Sequence, residues 1–186
     1  MNYRIIAALL LLSTAYLTPG TATADQNDPL LPSLFDALRL ARSEAEAEPY
    51  VTEIWRRWSY VENHAASIRL LRGVAQMEAG DLSAAISEFD VLVEMAPEFA
   101  EGWNRRATVY YMVGNFARSV LDIQRTLALE PRHFGALSGL AMIYQEIGKD
   151  KAALPILEKV RDINPNAPSI DEQIKALREQ IQGQRT

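Results

Sequence analysis

The sequence predicts an all-α protein in which pairs of helices stack into an open solenoid. The main observation is a period of 34 residues, at which a small residue, a glycine and a proline each recur three times. The small residues are Gly73, Ala107 and Ala141, the glycines are Gly80, Gly114 and Gly148, and the prolines are Pro97, Pro131 and Pro165. Three features that share one period indicate three copies of one structural unit, and this length is typical of helical repeats.

The second copy, residues 100–133, shows what one unit contains. Two apolar stripes at helical spacing lie on either side of a Gly114-Asn115 break, and Pro131 follows the second stripe. The stripes consist of Trp103, Ala107 and Tyr110 and of Val120, Ile123 and Leu127. This pattern predicts a helix-turn-helix. Because neither helix can bury its stripe alone, each pair is expected to stack on its neighbours.

This arrangement resembles the tetratricopeptide repeat (TPR), whose unit carries Trp, Leu-Gly, Tyr, Ala, Phe and Pro at fixed places. The third copy, residues 134–167, matches in Leu137, Leu140-Ala141, Tyr144, Ala153, Leu157 and Pro165, and the first, residues 66–99, in Gly73, Ala85, Phe89 and Pro97. The first copy departs at Arg69 and Gln76, which stand at the Trp and Tyr positions, and Arg72 and Arg106 replace the usual Leu. The resemblance implies a TPR α-solenoid of three repeats over residues 66–167.

The two flanks of the repeats are each predicted to be helical. Residues 25–65 contain apolar residues at helical spacing, and we interpret them as a degenerate helical pair that caps the first repeat. Trp55 and Trp58 of this pair are expected in the core, the alternative being an exposed docking patch. Residues 168–182 are predicted to form a C-terminal capping helix over the third repeat. Its single stripe consists of Ile170, Ile174, Leu177 and Ile181.

Residues 1–24 have the pattern of a secretory signal peptide. Arg4 precedes an unbroken apolar run over residues 5–12, and Ala22-Thr23-Ala24 is a small-residue cleavage signal. The run is shorter than the roughly 18 residues of a membrane span, which favours cleavage after Ala24 over an uncleaved anchor. We therefore expect a periplasmic or secreted protein, without stable membrane insertion after cleavage, that resembles small exported bacterial TPR proteins. The absence of cysteine excludes a lipid-modified cysteine and disulfides.

Composition and motifs argue against catalysis and against nucleic acid as a partner. The formal net charge is -5, and the charges are scattered rather than gathered into a basic patch. The sequence contains neither a cysteine nucleophile nor a glycine-rich phosphate loop. His64 and His133 are the only histidines and lie far apart in the chain, so a shared metal site is not expected. No enzyme activity, metal or cofactor is predicted.

A TPR solenoid binds mainly through the concave surface that the first helix of each repeat lines, and the resemblance implies a protein or peptide partner there. The groove positions carried over from the family are Leu70, Val74, Met77, Asn104, Thr108, Tyr111, Met112, Ser138, Met142, Gln145 and Glu146. Methionine adapts its shape and tyrosine combines apolar area with a polar tip, which suits an apolar peptide or helix. The alternative for these side chains is packing between the protein's own helices.

Two further expectations concern the kind of partner. Cochaperone members of the family hold an acidic carboxy-terminal peptide with Lys, Asn and Arg, whereas this sequence has Leu70, Val74, Gly135 and Gly139 at such positions. A receptor for chaperone tails is therefore not expected. The rival to an envelope scaffold is a self-associating structural element, a homo-oligomer formed through the Trp55/Trp58 region or the C-terminal helix.

Overall fold

A computed structural model describes residues 25–183. The predicted signal peptide, residues 1–24, lies outside the described residues. Within that range the chain forms nine α-helices and no strand. The helices are α1 (Leu31–Leu40), α2 (Glu44–Trp58), α3 (His64–Glu78), α4 (Leu82–Met95), α5 (Ala100–Met112), α6 (Phe116–Leu129), α7 (Phe134–Glu146), α8 (Asp150–Ile163) and α9 (Ile170–Gly183). None of these helices is long and apolar enough to cross a bilayer.

The three predicted repeats are the helix pairs α3/α4, α5/α6 and α7/α8. A glycine with positive φ separates the two helices of each pair, at Gly80 (78°), Gly114 (74°) and Gly148 (70°). This left-handed conformation strains residues that carry a Cβ, which explains why glycine recurs at the turn. Asp81 and Asn115 then cap the second helices of the first two pairs, because their side chains accept the Ala84 and Arg118 backbone N–H groups. The 34-residue period is therefore a structural repeat.

Small residues allow the two helices of each pair to lie close together. A Cβ at Gly73 would lie 2.4 Å from the Phe89 ring, which no real contact permits. In the second pair Ala107 is buried, and Ser119 Oγ donates to its carbonyl oxygen at 2.8 Å. The second helix therefore contacts the backbone of the first, and a bulky side chain at these positions would separate them.

Arg106 stands where the repeat usually has leucine, and the structure shows its role. Its Nε and Nη2 donate to the two carboxylate oxygens of Asp122 at 2.8 Å, and Nη1 donates to Asp90 at 2.7 Å. Burial alone would lower the pKa of Arg106, but the hydrogen bonds to Asp122 and Asp90 outweigh it and raise the pKa above its ordinary value. Arg106 thus ties α5 to α4 and α6 by charge. The equivalent Arg72 of the first repeat is exposed.

The C-terminal helix α9 covers the end of the third repeat. Its apolar stripe is buried and belongs to the same core cluster as α7 and α8. The stripe consists of Ile170, Ile174, Leu177 and Ile181, as predicted. The outward residues of α9 are charged or polar, including Asp171, Glu172 and Lys175. This combination of one apolar and one polar face is what a terminal repeat requires.

The N-terminal pair α1/α2 does not lie where the sequence predicts. The interpretation that it caps the first repeat is wrong, because the pair runs along the solenoid edge formed by the loops between repeats. Residues between Gln26 and Ala41 contact each inter-repeat loop in turn: Gln26 Nε2 donates to Glu98 O (2.5 Å), the Arg132 guanidinium lies 4.2 Å from the Phe35 ring centroid, and Asn166 Nδ2 donates to Ala41 O (2.8 Å). Residues 26–41 therefore run from the first inter-repeat loop to the third, and α2 runs back toward the second loop, where Trp58 stacks on His133.

The apolar faces of α1 and α2 join the core of the third repeat rather than that of the first. Phe35, Ile54 and Trp58 are buried in one cluster with Phe134 and Leu157. Trp58 is therefore a core residue, 1% exposed, and is not free to dock a second copy. The outer side of α3 stays uncovered as a result, and Leu71 is 66% exposed there.

Candidate functional site: a concave groove

A cavity of about 360 Å³ opens between α5 and α7, with α6 as its floor. We call it the α5–α7 pocket. It exists because the residues facing it are small: Ala107, Ala136 and Gly139 leave room that larger side chains would fill. A Cβ at Gly139 would meet only Ile123 Cδ1, at 3.7 Å. The full lining is Asn104, Ala107, Thr108, Tyr111, Met112, Ser119, Ile123, Gly135, Ala136, Ser138, Gly139 and Met142.

The α5–α7 pocket presents an apolar and uncharged surface. Met112 and Met142 stand at its rim and are 50% and 48% exposed. The hydroxyls of Thr108 and Ser138 donate to carbonyl oxygens of their own helices, at 2.9 and 2.8 Å, so their donors are already used. No charged side chain lines the pocket. Its chemistry therefore suits a bulky apolar side chain rather than a carboxylate or phosphate.

A second cavity of about 360 Å³ lies on the other side of α7, where α2 crosses it. We call it the α2–α7 cleft. Ser138 and Met142 line both cavities, so the two form one groove that passes over α7. The remaining cleft residues come from α2, from α7 and α8, from the segment between α8 and α9, and from the first turn of α9: Glu44, Ala47, Glu48, Val51, Phe134, Leu157, Val160, Asn164, Asn166, Ala167, Pro168, Ile170 and Gln173.

Two carboxylates give the α2–α7 cleft a negative wall. Glu44 and Glu48 are exposed and lie one helical turn apart on α2. Glu48 Oε1 accepts a hydrogen bond from Thr52 Oγ1 at 3.3 Å, and in the described part of the chain neither glutamate forms an ion pair. No lysine or arginine lines either cavity. The groove is thus apolar over α7 and acidic along α2.

A buried polar cluster holds the two helices that form the α5–α7 pocket. Glu101 on α5 is 1% exposed and accepts from Asn104 Nδ2 at 2.9 Å, while Arg105 Nε lies 2.5 Å from its Oε1. His133 Nε2 lies 3.1 Å from Glu101 Oε2, and His133 Nδ1 accepts the Ala136 N–H at 3.1 Å. Because Nδ1 is an acceptor, Nε2 carries the proton and donates to Glu101. His133 thereby caps α7 and links it to α5.

The electrostatics of this cluster favour the carboxylate form of Glu101. Burial alone would raise the pKa of Glu101, but the hydrogen bond from His133 and the charge of Arg105 outweigh it, so the pKa is held below its ordinary value. The carboxylate is therefore the form that satisfies its neighbours. This arrangement fixes the spacing of α5 and α7, and with it the width of the pocket.

Two tryptophans of α2 cover the cluster from outside. The Trp58 ring stacks on the His133 imidazole, with centroids 4.2 Å apart and planes at 9°. Trp55 meets His133 and Phe134 edge-on. A Cβ at Gly135 would lie 2.7 Å from Trp55, so glycine at this position makes room for the indole. The N-terminal pair thereby covers the polar cluster, and its helix α2 forms one wall of the α2–α7 cleft.

The structure brings six of the eleven predicted groove residues together. Asn104, Thr108, Tyr111, Met112, Ser138 and Met142 line the α5–α7 pocket, although Asn104 is mostly buried against Glu101. Leu70, Val74 and Met77 instead pack within the core of the first repeat. Gln145 and Glu146 lie at the end of α7 and line neither cavity. The three first-repeat residues therefore pack between the protein's own helices, which was the alternative to a place in the groove.

Sequence reasoning missed the residues of α2 that face the groove, because it placed that helix at the opposite end of the solenoid. It also assigned no structural role to His133, which is fully buried at the junction between the second and third repeats. Gly135 and Gly139 were the available signal, since two glycines in a helix that faces a groove indicate room for another group. Within residues 25–183, no cluster of three or more His, Asp or Glu side chains could hold a metal ion.

Antiparallel helix pairs that stack in register, with the first helices lining a concave face, define an α-solenoid of the helical-repeat class. The chain belongs to the tetratricopeptide repeat family, whose sequence model matches residues 35–100 and 104–168. The first of these matches includes most of the N-terminal pair as well as the first repeat.

Relatives and solved structures agree with this assignment. A TPR repeat-containing protein of Rhizobium etli is 37% identical over 158 residues, which cover 84% of this chain and 76% of that protein. Tetratricopeptide repeat protein 36 of Bos taurus is 35% identical over 86 residues, 46% of this chain and 44% of that protein. The first TPR domain of Spaghetti (RPAP3), solved with an HSP90 peptide, superposes with a TM-score of 0.61 at 19% identity, covering 65% of this chain and 96% of that one. The Sgt2 TPR domain of Aspergillus fumigatus has the same TM-score and identity, covering 67% and 84%.

Proposed function

We propose that this protein is an interaction scaffold that binds a segment of a partner protein in its concave groove. The observation that carries the proposal is the continuity of the α5–α7 pocket and the α2–α7 cleft across Met142, with half-exposed methionines at the rim. Soluble proteins rarely leave such apolar surface uncovered without a binding role. Two structural neighbours support it, since one was solved with the HSP90 peptide SRMEEVD and another as a complex with pHsp70.

The acidic peptide of the first neighbour is not the ligand that we propose here. Leu70 and Val74 belong to the core of the first repeat, and Gly135 lies under Trp55, so basic side chains have no place at these positions. The groove offers apolar surface and carboxylates instead. The mode of binding is therefore that of an apolar anchor in a pocket, with polar contacts at the rim.

A double substitution at the rim tests the proposed function. Met112→Glu with Met142→Glu places two charges where an apolar partner would sit, and should reduce capture of the partner at least about tenfold. The measurement is crosslinking in the native cell, followed by identification and quantification of the attached protein. Both side chains are half-exposed, so the circular dichroism spectrum and melting temperature should stay unchanged.

Met95→Glu is the matched control, because Met95 is also exposed but lies at the end of α4, outside both cavities. A partner that the double variant loses and the control keeps identifies the groove as its binding site. Equal capture by the wild type and the double variant would refute binding in this groove.

We also propose that the scaffold works in the cell envelope or outside the cell, after removal of residues 1–24. The basis is the order of Arg4, the apolar run and Ala22-Thr23-Ala24. Cell fractionation and N-terminal sequencing test it: we expect an envelope protein that begins at Asp25. A protein found in the cytoplasm with Met1 intact would rule out export.

A further inference from the structure

We infer that the segment bound in the groove carries two bulky apolar side chains and a basic side chain beside the second of them. This inference rests on the proposed function and specifies the chemistry of the partner. It follows from three properties of the groove. The groove has two apolar cavities, Met142 separates them, and the carboxylates of Glu44 and Glu48 lie along one wall of the second cavity only.

The two cavities require two apolar anchors. The α5–α7 pocket has no charged lining residue, and the hydroxyls of Thr108, Ser119 and Ser138 already donate to backbone carbonyls. A charged group entering the pocket would lose its water without gaining a counter-charge. In the α2–α7 cleft, Val51, Phe134 and Leu157 provide a similar apolar floor. Met142 separates the two and is flexible enough to adapt to whichever side chain lies on each side. One side chain on each side of Met142 fills the groove.

The charges determine what flanks the second anchor. Glu44 and Glu48 lie four residues apart on one helix, a spacing at which like charges repel and destabilise the helix. No lysine or arginine lines the cleft beside them. Arg57, at the other end of α2, is already paired with Asp28 and Glu53. A lysine or arginine of the partner would relieve this repulsion. Charge complementarity therefore favours a basic segment and disfavours an acidic one.

Short synthetic peptides can test this chemistry directly on the full chain. We would use three fluorescein-labelled peptides of the same length: one with leucine anchors and flanking lysines, one with the same leucines and glutamates, and one with serines in place of the leucines and the lysines kept. Fluorescence anisotropy should show the leucine-lysine peptide binding at least about tenfold more tightly than either of the others. Its affinity should fall as salt rises, because the exposed carboxylates are screened.

Variants of the cleft wall assign the preference to the proposed residues. Glu44→Gln with Glu48→Gln should weaken binding of the leucine-lysine peptide about fivefold and reduce its advantage over the leucine-glutamate peptide. Glu94→Gln is the matched control, since Glu94 is an exposed glutamate on α4, outside the groove. It should leave the affinity unchanged.

The outcomes separate this inference from the proposed function. If Glu44→Gln with Glu48→Gln leaves peptide affinity, salt dependence and charge preference as in the wild type, the basic-partner inference is overturned. The scaffold function would stand in that case, provided that Met112→Glu with Met142→Glu still abolishes capture of the cellular partner. If the methionine variant captures the partner normally, the groove itself is not the binding site and both proposals fail.

Discussion

Replacing Glu101 with glutamine is expected to lower the free energy of unfolding by about 3 kcal/mol. The side chain of Glu101 is fully buried and accepts hydrogen bonds from His133 and Asn104, beside the charge of Arg105. A neutral amide leaves Arg105 without its counter-charge. Its oxygen can keep the hydrogen bonds that Oε2 accepts from His133 and Asn104, but its NH2 group then stands where Oε1 lies and opposes the Arg105 guanidinium. Urea denaturation followed by circular dichroism measures the loss.

The same substitution should change how stability depends on pH. Because the pKa of Glu101 is lower in the folded protein than in the unfolded chain, its contribution is fully present above the unfolded value of about 4.3. It is lost as the pH falls from there through the folded pKa. Wild-type stability should therefore decrease more steeply below about pH 4.3 than that of Glu101→Gln.

Glu98→Gln is the control for this prediction. Glu98 precedes the same helix and pairs with Arg125, but its side chain is 75% exposed, so the loss should be under about 1 kcal/mol. Equal stabilities for Glu101→Gln and Glu98→Gln would show that the buried cluster does not hold α5 and α7 together.

Replacing Trp58 with alanine is expected to cost about 3–5 kcal/mol. Its indole is buried between His133, Phe134 and Phe35, so truncation leaves a large cavity between the N-terminal pair and the third repeat. The pair should then detach locally. Hydrogen exchange should show lost protection in α1 and α2, together with weaker binding in the α2–α7 cleft.

Trp58→Phe distinguishes lost packing from a lost hydrogen bond. The buried Trp58 Nε1 has no hydrogen-bond partner among the described residues, so phenylalanine removes an unsatisfied donor while keeping much of the aromatic contact. The phenylalanine variant should therefore lose less than about half as much stability as the alanine variant. A change below about 1 kcal/mol for Trp58→Ala would mean that the pair does not depend on this contact.

Local rules were enough to place some of the predicted groove residues beside the cavities, whereas their role in binding stays a prediction. The periodic placement of Thr108, Met112 and Met142 on first helices was enough to put them on the concave face. Leu70 failed as a groove residue because it packs into the core of the first repeat, and no sequence rule for a single helix shows how deeply it will be buried. Arg106, which departs from the family pattern, was interpretable only once Asp90 and Asp122 were seen beside it.

The amino-acid sequence alone was enough to predict the helices, their turns and the order in which the three repeats stack. Those features depend on residues close together in the chain: the glycine at each turn, the small residues at the helix contacts and the apolar stripes. The position of the N-terminal pair, the stacking of Trp58 on His133 and the placement of Glu44 and Glu48 beside the groove became visible only in the folded protein. These features depend on contacts between residues far apart in the chain, such as Ala41 with Asn166. Because hydrophobic burial is not directional, the apolar face of a helix does not specify which other helix will bury it.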